Sequence, residues 1–227
     1  MPEINYYIMQ LTKTLILGDG EIGTALYNVL SDVYDCSIRG KDNTKEQFNI
    51  IHICFPYNED FVKEVKRYQE LYRPQHTVIH STVPIGVSRE CKATHSPVRG
   101  LHPNLEKSLK TFVKFVGGSD EVADYFRGAG MRVHLCRKPE TTELLKLNST
   151  ETYRGDIQRV QYLEKICEKY DVPFAEVYTI ATTSYNEGYK ELGFPEYQRP
   201  VLQPLQKEIG GHCLEPNHKI IKEHAIF

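Results

Sequence analysis

TKTLILGDGEIG, at residues 12–23, is the stretch from which the fold of this chain is predicted. Its apolar residues predict a buried strand ending at Leu17, and its three glycines complete a GxGxxG pattern that opens a helix. The first glycine permits a tight turn, the second lets the backbone approach a pyrophosphate, and the third lets helix pack on strand. The pyrophosphate is favoured at the helix N-terminus by unpaired N–H groups and the helix dipole. The predicted cofactor contacts are Gly18, Gly20, Glu21, Ile22 and Gly23. The alternative interpretation is a structural glycine turn without a cofactor.

Short apolar runs alternate with longer amphipathic ones along the chain as far as residue 138. Strands are predicted at 12–18, 33–38, 49–55, 76–81, 112–117 and 132–136. Helices are predicted at 21–31, 58–72 and 120–128, with a short one after Pro84. Apolar strands that alternate with helices predict a Rossmann-type, doubly wound α/β fold whose mostly parallel sheet is covered on both faces.

The pattern changes after residue 138. One long helix is predicted from Pro139 to Tyr170, because apolar residues recur at helical spacing at Tyr153, Ile157, Val160, Leu163 and Cys167. Its middle, NSTET, is weak in helix propensity. A second helical segment is predicted over 174–192, followed by an irregular stretch rich in Pro and Gly. Residues 1–138 are therefore predicted to form the dinucleotide-binding domain, and residues 139–227 a helical region.

Composition excludes several classes of protein. The 227 residues are 40% hydrophobic and 26% charged with a formal net charge of −2, so the chain is predicted to be globular, without a nucleic-acid partner. No apolar run approaches ~18 residues and the start lacks a signal-peptide layout, so no membrane contact is predicted. The six cysteines lack CxxC spacing, which is typical of reduced thiols in a cytoplasmic protein without a metal site.

The choice of cofactor depends on the end of the second strand, about 20 residues past the glycine pattern. No carboxylate stands at that position, since Asp35 comes too early and Asp42 too late to hold a ribose hydroxyl. Arg39 and Lys41 stand there instead and favour the 2′-phosphate of NADP over NAD. The alternative is that both are solvated loop charges.

Five further segments carry a resemblance that spans most of the chain. They are VIHSTVPIG (78–86), HSPVRG (95–100), FVGG (115–118), ELLKLNSTETYRGD (143–156) and EIGGHCLEPN (208–217). In this order they resemble motifs of the UDP-glucose/GDP-mannose dehydrogenase family, within the β-hydroxyacid and 6-phosphogluconate dehydrogenase-like superfamily. The last segment resembles the motif that carries the family's catalytic cysteine.

The resemblance implies a set of residue roles. The family oxidises a sugar-nucleotide alcohol to a carboxylate in two hydride transfers. By position in the motifs, Cys213 matches the family's nucleophile, Lys146 its oxyanion-stabilising lysine and Thr82 a threonine near the nicotinamide. A thiolate adds readily to an aldehyde, and an ammonium stabilises the oxyanion that forms. The helical spacing of Lys146 places it on the inward face with Tyr153 and Ile157.

The resemblance also implies a homodimer formed through the long helix. Further cofactor contacts are expected from Pro56 and Ser81, and contacts to a small-molecule substrate from Pro97, Arg99, His102 and Asn148.

The sequence also departs from the family. Val98 stands where the family has an acidic residue, and SPVRG is closer to the corresponding loop of simple β-hydroxyacid dehydrogenases. The family's C-terminal sugar-nucleotide-binding domain is expected to be lacking after Cys213. The function predicted is an NAD(P)-dependent oxidoreductase acting on an alcohol or hydroxy acid. The alternatives are a single-step β-hydroxyacid dehydrogenase with Lys146 as general acid/base, and a non-catalytic dinucleotide-binding module.

Overall fold

A computed structural model describes residues 12–40, 46–101, 103–204 and 214–223. The chain divides into two compact units, Met1–Lys146 and Leu147–Phe227, which are called the first and second unit below. The division falls within a helix that begins in the first unit and continues in the second.

The first unit contains a seven-stranded sheet. Its strands are β1 (Lys13–Leu17), β2 (Asp35–Arg39), β3 (Ile50–Ile53), β4 (His76–Ile79), β5 (Thr94–His95), β6 (Lys114–Gly117) and β7 (Val133–Cys136). Its helices are α1 (Glu21–Leu30), α2 (Phe61–Tyr72), α3 (Val87–Glu90), α4 (Leu105–Thr111) and α5 (Asp120–Gly128). The long helix α6 (Pro139–Tyr170) follows β7.

The strand order is β2-β1-β3-β4-β5-β6-β7, and every neighbouring pair is parallel except β5 with β6. Because the chain adds β2 on one side of β1 and β3 on the other, the strand order reverses between β1 and β3. In doubly wound sheets a ligand binds in the crevice at such a switch point, at the carboxyl ends of the strands. The predicted Rossmann-type α/β fold is thus confirmed.

Both faces of the sheet are buried. One face packs with α1 and α5 around Leu26 and Phe126, and the other packs with α2 around Phe61 and Tyr68. Strand β3 contributes to both faces and is buried at all four positions, which explains its nearly continuous apolar sequence. Its one polar member, His52, is also fully buried.

Several elements differ from the sequence predictions. Strand β5, helix α4 and the last helix were not predicted; the strand and α4 are too short to carry a clear periodicity. Helix α6 has the predicted bounds and continues through NSTET without a break in its helical assignment. The prediction that Tyr153 faces inward is wrong, since 52% of it is exposed while Ile157 and Val160 are buried.

The second unit is helical. After α6, a π-helix (Ala175–Ile180) continues into α7 (Ala181–Glu191), and α8 (Leu214–Glu223) is the last helix described. The amide of Asn217 on α8 donates to the Thr150 hydroxyl of α6 at 3.2 Å. His218 on α8 contacts the Glu151 carboxylate of α6 at 3.0 Å. None of the helices in the described ranges combines the length and apolarity needed to cross a membrane.

Candidate active site

The glycine turn at the end of β1 forms a cradle in which each glycine has a different reason to lack a side chain. Gly18 has φ +111°, and a Cβ on it would lie 3.0 Å from the backbone of Cys54, at the end of β3. A Cβ on Gly23 would lie 1.8 Å from the carbonyl oxygen of Gly18. A Cβ on Gly20 would meet nothing within 4 Å. Gly18 and Gly23 therefore serve the close packing of strand and helix, and Gly20 borders open space.

This cradle fits a dinucleotide pyrophosphate. Gly20 precedes the ten-residue helix α1, and a helix N-terminus favours a phosphate through its first-turn N–H groups and its dipole. A side chain at Gly20 would fill the space where a phosphate approaches those groups. Of the other predicted contacts, Glu21 is exposed in the first turn, and Ile22 packs partly into the core.

Arg39, at the end of β2, contacts Gly18, Glu46 and Phe48. Its backbone carbonyl accepts a hydrogen bond from the N–H of Gly18 at 2.9 Å. Its guanidinium donates to the Glu46 carboxylate at 2.6 Å and lies 5.4 Å from the centre of the Phe48 ring. This charged hydrogen bond is the main reason that the pKa of Glu46 is lowered. The role of Arg39 in holding a 2′-phosphate stays a prediction.

Hydrogen bonds link the carboxyl ends of the central strands to α6. The Ser81 hydroxyl, after β4, donates to the carbonyl of Phe55, after β3, at 2.5 Å. The Nε2–H of His95, at the end of β5, donates to the carbonyl of Ser81 at 3.2 Å. Its Nδ1 then accepts from the Thr142 hydroxyl of α6 at 2.8 Å. Ser81 is thus part of this edge, and the neighbouring Pro56 is exposed beside it.

The first two turns of α6 hold two loops of the predicted site. The buried carboxylate of Glu143 accepts hydrogen bonds from the N–H groups of Gly86 and Ser88, at 2.6 and 2.8 Å. These residues follow directly on the loop that carries Thr82. One turn later, the Lys146 ammonium donates to the carbonyl of Val98 at 3.0 Å. Helix α6 therefore brings Lys146 together with the Pro97–Arg99 loop and anchors the Thr82 loop.

The two glycines of FVGG have a packing role at the start of α6. A Cβ on Gly117 would lie 2.7 Å from the Thr142 hydroxyl and 2.8 Å from the backbone at Lys138 and Pro139. Gly118 has φ +101° beside Pro139. Glycines at these positions let the helix that carries Lys146 begin directly against β6.

We predict that Glu143→Ala lowers the free energy of unfolding by about 2 kcal/mol, because two amides lose a charged acceptor in a buried place. Urea unfolding measures this effect. The matched control is Glu168→Ala, at an exposed position of the same helix, where a change in stability within about 0.5 kcal/mol is expected. Equal losses in the two variants would contradict the anchoring role of Glu143.

The remaining predicted residues are placed as follows. Pro97 is buried, and the Arg99 guanidinium lies 5.9 Å and 5.5 Å from the ring centres of Phe112 and Phe115. Asn148 is exposed on α6 in the second unit. Cys213 and His102 lie outside the described residues, so their predicted roles stay predictions.

Sequence reasoning missed a chain of buried polar side chains beneath this edge. The Nδ1–H of His80 donates to the carbonyl of Ser96 at 2.6 Å, and the Nδ1–H of His52 donates to Nε2 of His80 at 2.8 Å. The Tyr125 hydroxyl lies 3.3 Å from Nε2 of His52, and the Thr14 hydroxyl lies 3.1 Å from that of Tyr125. The carbonyl of Ser96 can only accept a hydrogen bond. When both histidines are neutral, each donor in this row of hydrogen bonds therefore points toward Ser96. The signal in the sequence is a histidine in each of two apolar strand segments.

Burial keeps the histidines of this cluster and the neighbouring His95 uncharged at neutral pH. It lowers the pKa of His52 and of His95 to about 3 and that of His80 well below its usual value. Lys114 donates to the carbonyl of Ser96 at 3.2 Å and lies 4.7 Å from the centre of the Phe126 ring; its burial lowers its pKa to about 7. In the described part of the chain, no three His, Cys, Asp or Glu side chains are grouped to hold a metal ion.

Comparison with known proteins identifies the fold. No protein-family model matches the chain, and no curated protein matches it in sequence. Among solved structures, a UDP-D-ManNAc dehydrogenase from Pyrococcus horikoshii superposes with a TM-score of 0.73 at 16% identity, over 95% of this chain and 65% of that one. An NDP-N-acetyl-D-galactosaminuronic acid dehydrogenase from Methanosarcina mazei Go1 has a TM-score of 0.66 at 15% identity, over 98% and 62%.

A conserved protein of unknown function, described as similar to 3-hydroxyacid dehydrogenases, has a TM-score of 0.61 at 10% identity over 81% of both chains. The chain thus spans less than two thirds of the length of the two sugar-nucleotide dehydrogenases. At these identities the similarity defines the fold. It is the Rossmann-type fold that sugar-nucleotide dehydrogenases share with 3-hydroxyacid dehydrogenase-like proteins.

Proposed function

We propose that this chain is an NAD(P)-dependent oxidoreductase of the sugar-nucleotide dehydrogenase type, which oxidises a CH–OH group of a small-molecule substrate. The observation that carries the proposal is the cradle formed by Gly18, Gly20 and Gly23 at the β1/β3 switch point. The fold shared with dehydrogenases and the ordered motifs of the UDP-glucose/GDP-mannose family support it. The proposal covers NAD and NADP alike; the sequence favours NADP only through the position of Arg39.

The cradle would hold the pyrophosphate, with the exposed first turn of α1 supplying N–H donors. A bound nicotinamide would supply the hydride acceptor. Lys146 would then bind the substrate oxygen through its Nζ, which now donates to the carbonyl of Val98. Its ammonium would stabilise the oxyanion that forms after attack by the Cys213 thiolate. Thr82, on the loop anchored by Glu143, would lie near the nicotinamide. Pro97, Arg99 and His102 would contact the substrate.

A single-step β-hydroxyacid oxidation is the second candidate. Val98 favours it, because it stands where the resembling family has an acidic residue, and the SPVRG loop is closer to that of simple β-hydroxyacid dehydrogenases. In this reaction Lys146 would take the proton of the substrate hydroxyl as general base, and Cys213 would have no role. Both candidates use the same cradle.

A homodimer through α6 and a cytoplasmic location belong to the same proposal. Tyr162 and Tyr170 on α6 are 68% and 67% exposed, which supports a partner surface on this helix. Light scattering at micromolar concentration would give twice the chain mass of 26.2 kDa, whereas a monomer would count against the dimer.

The experiment is a turnover screen that follows NADH or NADPH formation with a panel of sugar nucleotides and hydroxy acids. Lys146→Ala is expected to lower turnover by about 10²–10⁴-fold in either reaction. Cys213→Ala would abolish the second oxidation only in the two-step reaction. Lys165→Ala, at an exposed lysine of α6, is the matched control and should retain full turnover. Cofactor binding without turnover on any substrate would instead indicate a non-catalytic dinucleotide-binding module.

A further inference from the structure

The glycine turn places a carboxylate over the end of β2. In Rossmann domains the adenosine ribose lies at this strand end, where an acidic side chain binds its 2′-hydroxyl and an arginine accommodates a 2′-phosphate. Here the strand ends at Arg39 and is followed by Gly40. The Oδ2 atom of Asp19 lies 3.6 Å from the position that a Cβ on Gly40 would take. The acid that the strand end lacks in sequence is thus supplied in space by the turn between Gly18 and Gly20.

The guanidinium of Arg39 is bound to the carboxylate of Glu46 and lies beside the ring of Phe48. Its guanidinium donates to one oxygen of Glu46 at 2.6 Å, and the other oxygen of Glu46 lies 3.5 Å from the ammonium of Lys13 at the start of β1. The ring of Phe48 also lies beside the guanidinium, and only 23% of the Arg39 side chain is exposed. The Glu46 carboxylate thus already offsets the positive charge that Arg39 would offer to a 2′-phosphate.

The negative charges near the end of β2 favour NAD over NADP. A ribose diol donates hydrogen bonds, and a carboxylate such as that of Asp19 accepts them. A 2′-phosphate donates almost none and brings up to two negative charges next to Asp19, which is exposed and within reach of the strand end. Glu46 adds a second carboxylate to the neighbourhood of Arg39.

We propose that Asp19 determines cofactor specificity in favour of NAD: its carboxylate accepts a hydrogen bond from the ribose 2′-hydroxyl and repels a 2′-phosphate, while Glu46 holds Arg39 away from that phosphate. The inference rests on the proposed dinucleotide-binding function. It replaces the preference for NADP that Arg39 suggests in the sequence.

The test is the dissociation constant of NADH and of NADPH for the full chain, measured by calorimetric titration. The wild type is expected to bind NADH about tenfold or more tightly than NADPH, and Asp19→Ser to reduce that ratio by about tenfold. Glu46→Gln, which frees Arg39, should strengthen NADPH binding, and the double variant should prefer NADPH. Asp124→Asn removes an exposed carboxylate on α5 and is the control, for which no change in the ratio is expected.

Equal or tighter binding of NADPH by the wild type would overturn the inference, and so would an unchanged ratio in Asp19→Ser with an unaltered melting temperature. NADPH binding that is lost in Lys41→Ala would also overturn it. If the wild type binds neither dinucleotide, the proposed function fails and takes this inference with it. The binding of NADPH alone would overturn only the specificity assigned to Asp19.

Discussion

Acidification from pH 7 to pH 5 is expected to lower the free energy of unfolding by about 6 kcal/mol, from about 2 kcal/mol for each of three buried histidines. His52, His80 and His95 are held neutral by burial, with pKa values of about 3 for His52 and His95. In the unfolded chain each binds a proton near pH 6.5. The unfolded state therefore binds more protons below that pH, and stability falls as the pH falls.

The hydrogen-bond chain gives this prediction a structural reason. Protonation of His80 would turn its Nε2 from an acceptor into a donor that faces the Nδ1–H of His52, so the chain toward Ser96 would break. Lys114, already at the end of this chain, would add like-charge repulsion. The carboxylate of Glu46, whose pKa is lowered, titrates below this window and contributes no loss between pH 7 and 5.

Denaturant unfolding at pH 7, 6 and 5 measures the effect. His134→Gln is the control, because His134 is exposed on β7 and its replacement should leave the pH dependence unchanged. A free energy of unfolding that changes by less than about 1 kcal/mol over this range would show that the three histidines are not held neutral in the fold.

Gly23→Ala is expected to destabilise the fold by about 3 kcal/mol, because the new Cβ overlaps the carbonyl oxygen of Gly18 and α1 must move away from β1. The distance of 1.8 Å between these atoms leaves no room for a local adjustment. Gly20→Ala is the matched variant: its φ of −71° suits any residue and its Cβ meets nothing, so a change within about 0.5 kcal/mol is expected.

Thermal and urea unfolding of the two variants measure this difference. Similar stability of Gly23→Ala and Gly20→Ala would contradict the close contact between the turn and the helix. The two variants also separate the structural glycine from the one that borders the ligand space.

Local patterns predicted most of the fold. The turn at Gly18–Gly23 and the bounds of α6 follow from spacing within a short stretch of sequence, which is why both were predictable. Strand β5 has only two residues, and it pairs in parallel with β4 and in antiparallel with β6. A segment of this length carries no periodicity, so neither the strand nor the change of direction could be predicted.

The site depends on partners that lie far apart in the sequence. His52 and Tyr125 are 73 residues apart, and Glu143 is 57 residues from Gly86. No spacing rule connects such pairs before the sheet has formed. The ion pair of Arg39 was not predicted for a similar reason, because its partner Glu46 is seven residues later and beyond the strand. Lys146 could be placed near the Pro97–Arg99 loop only through the resemblance to a known family.

The most direct test of the account is the binding of NADH by the wild type and by Gly20→Val, measured by calorimetric titration on samples of equal folded fraction. A Cβ at Gly20 meets no protein atom within 4 Å, and Gly20 directly precedes the N-terminus of α1, so a larger side chain there is expected to take up space needed by the pyrophosphate. The wild type is expected to bind NADH with one site per chain, and Gly20→Val, folded and equally stable, is expected not to bind it. Equal binding by both proteins, or a wild type that binds neither NADH nor NADPH, would contradict the assignment of the Gly18–Gly23 cradle as the dinucleotide site.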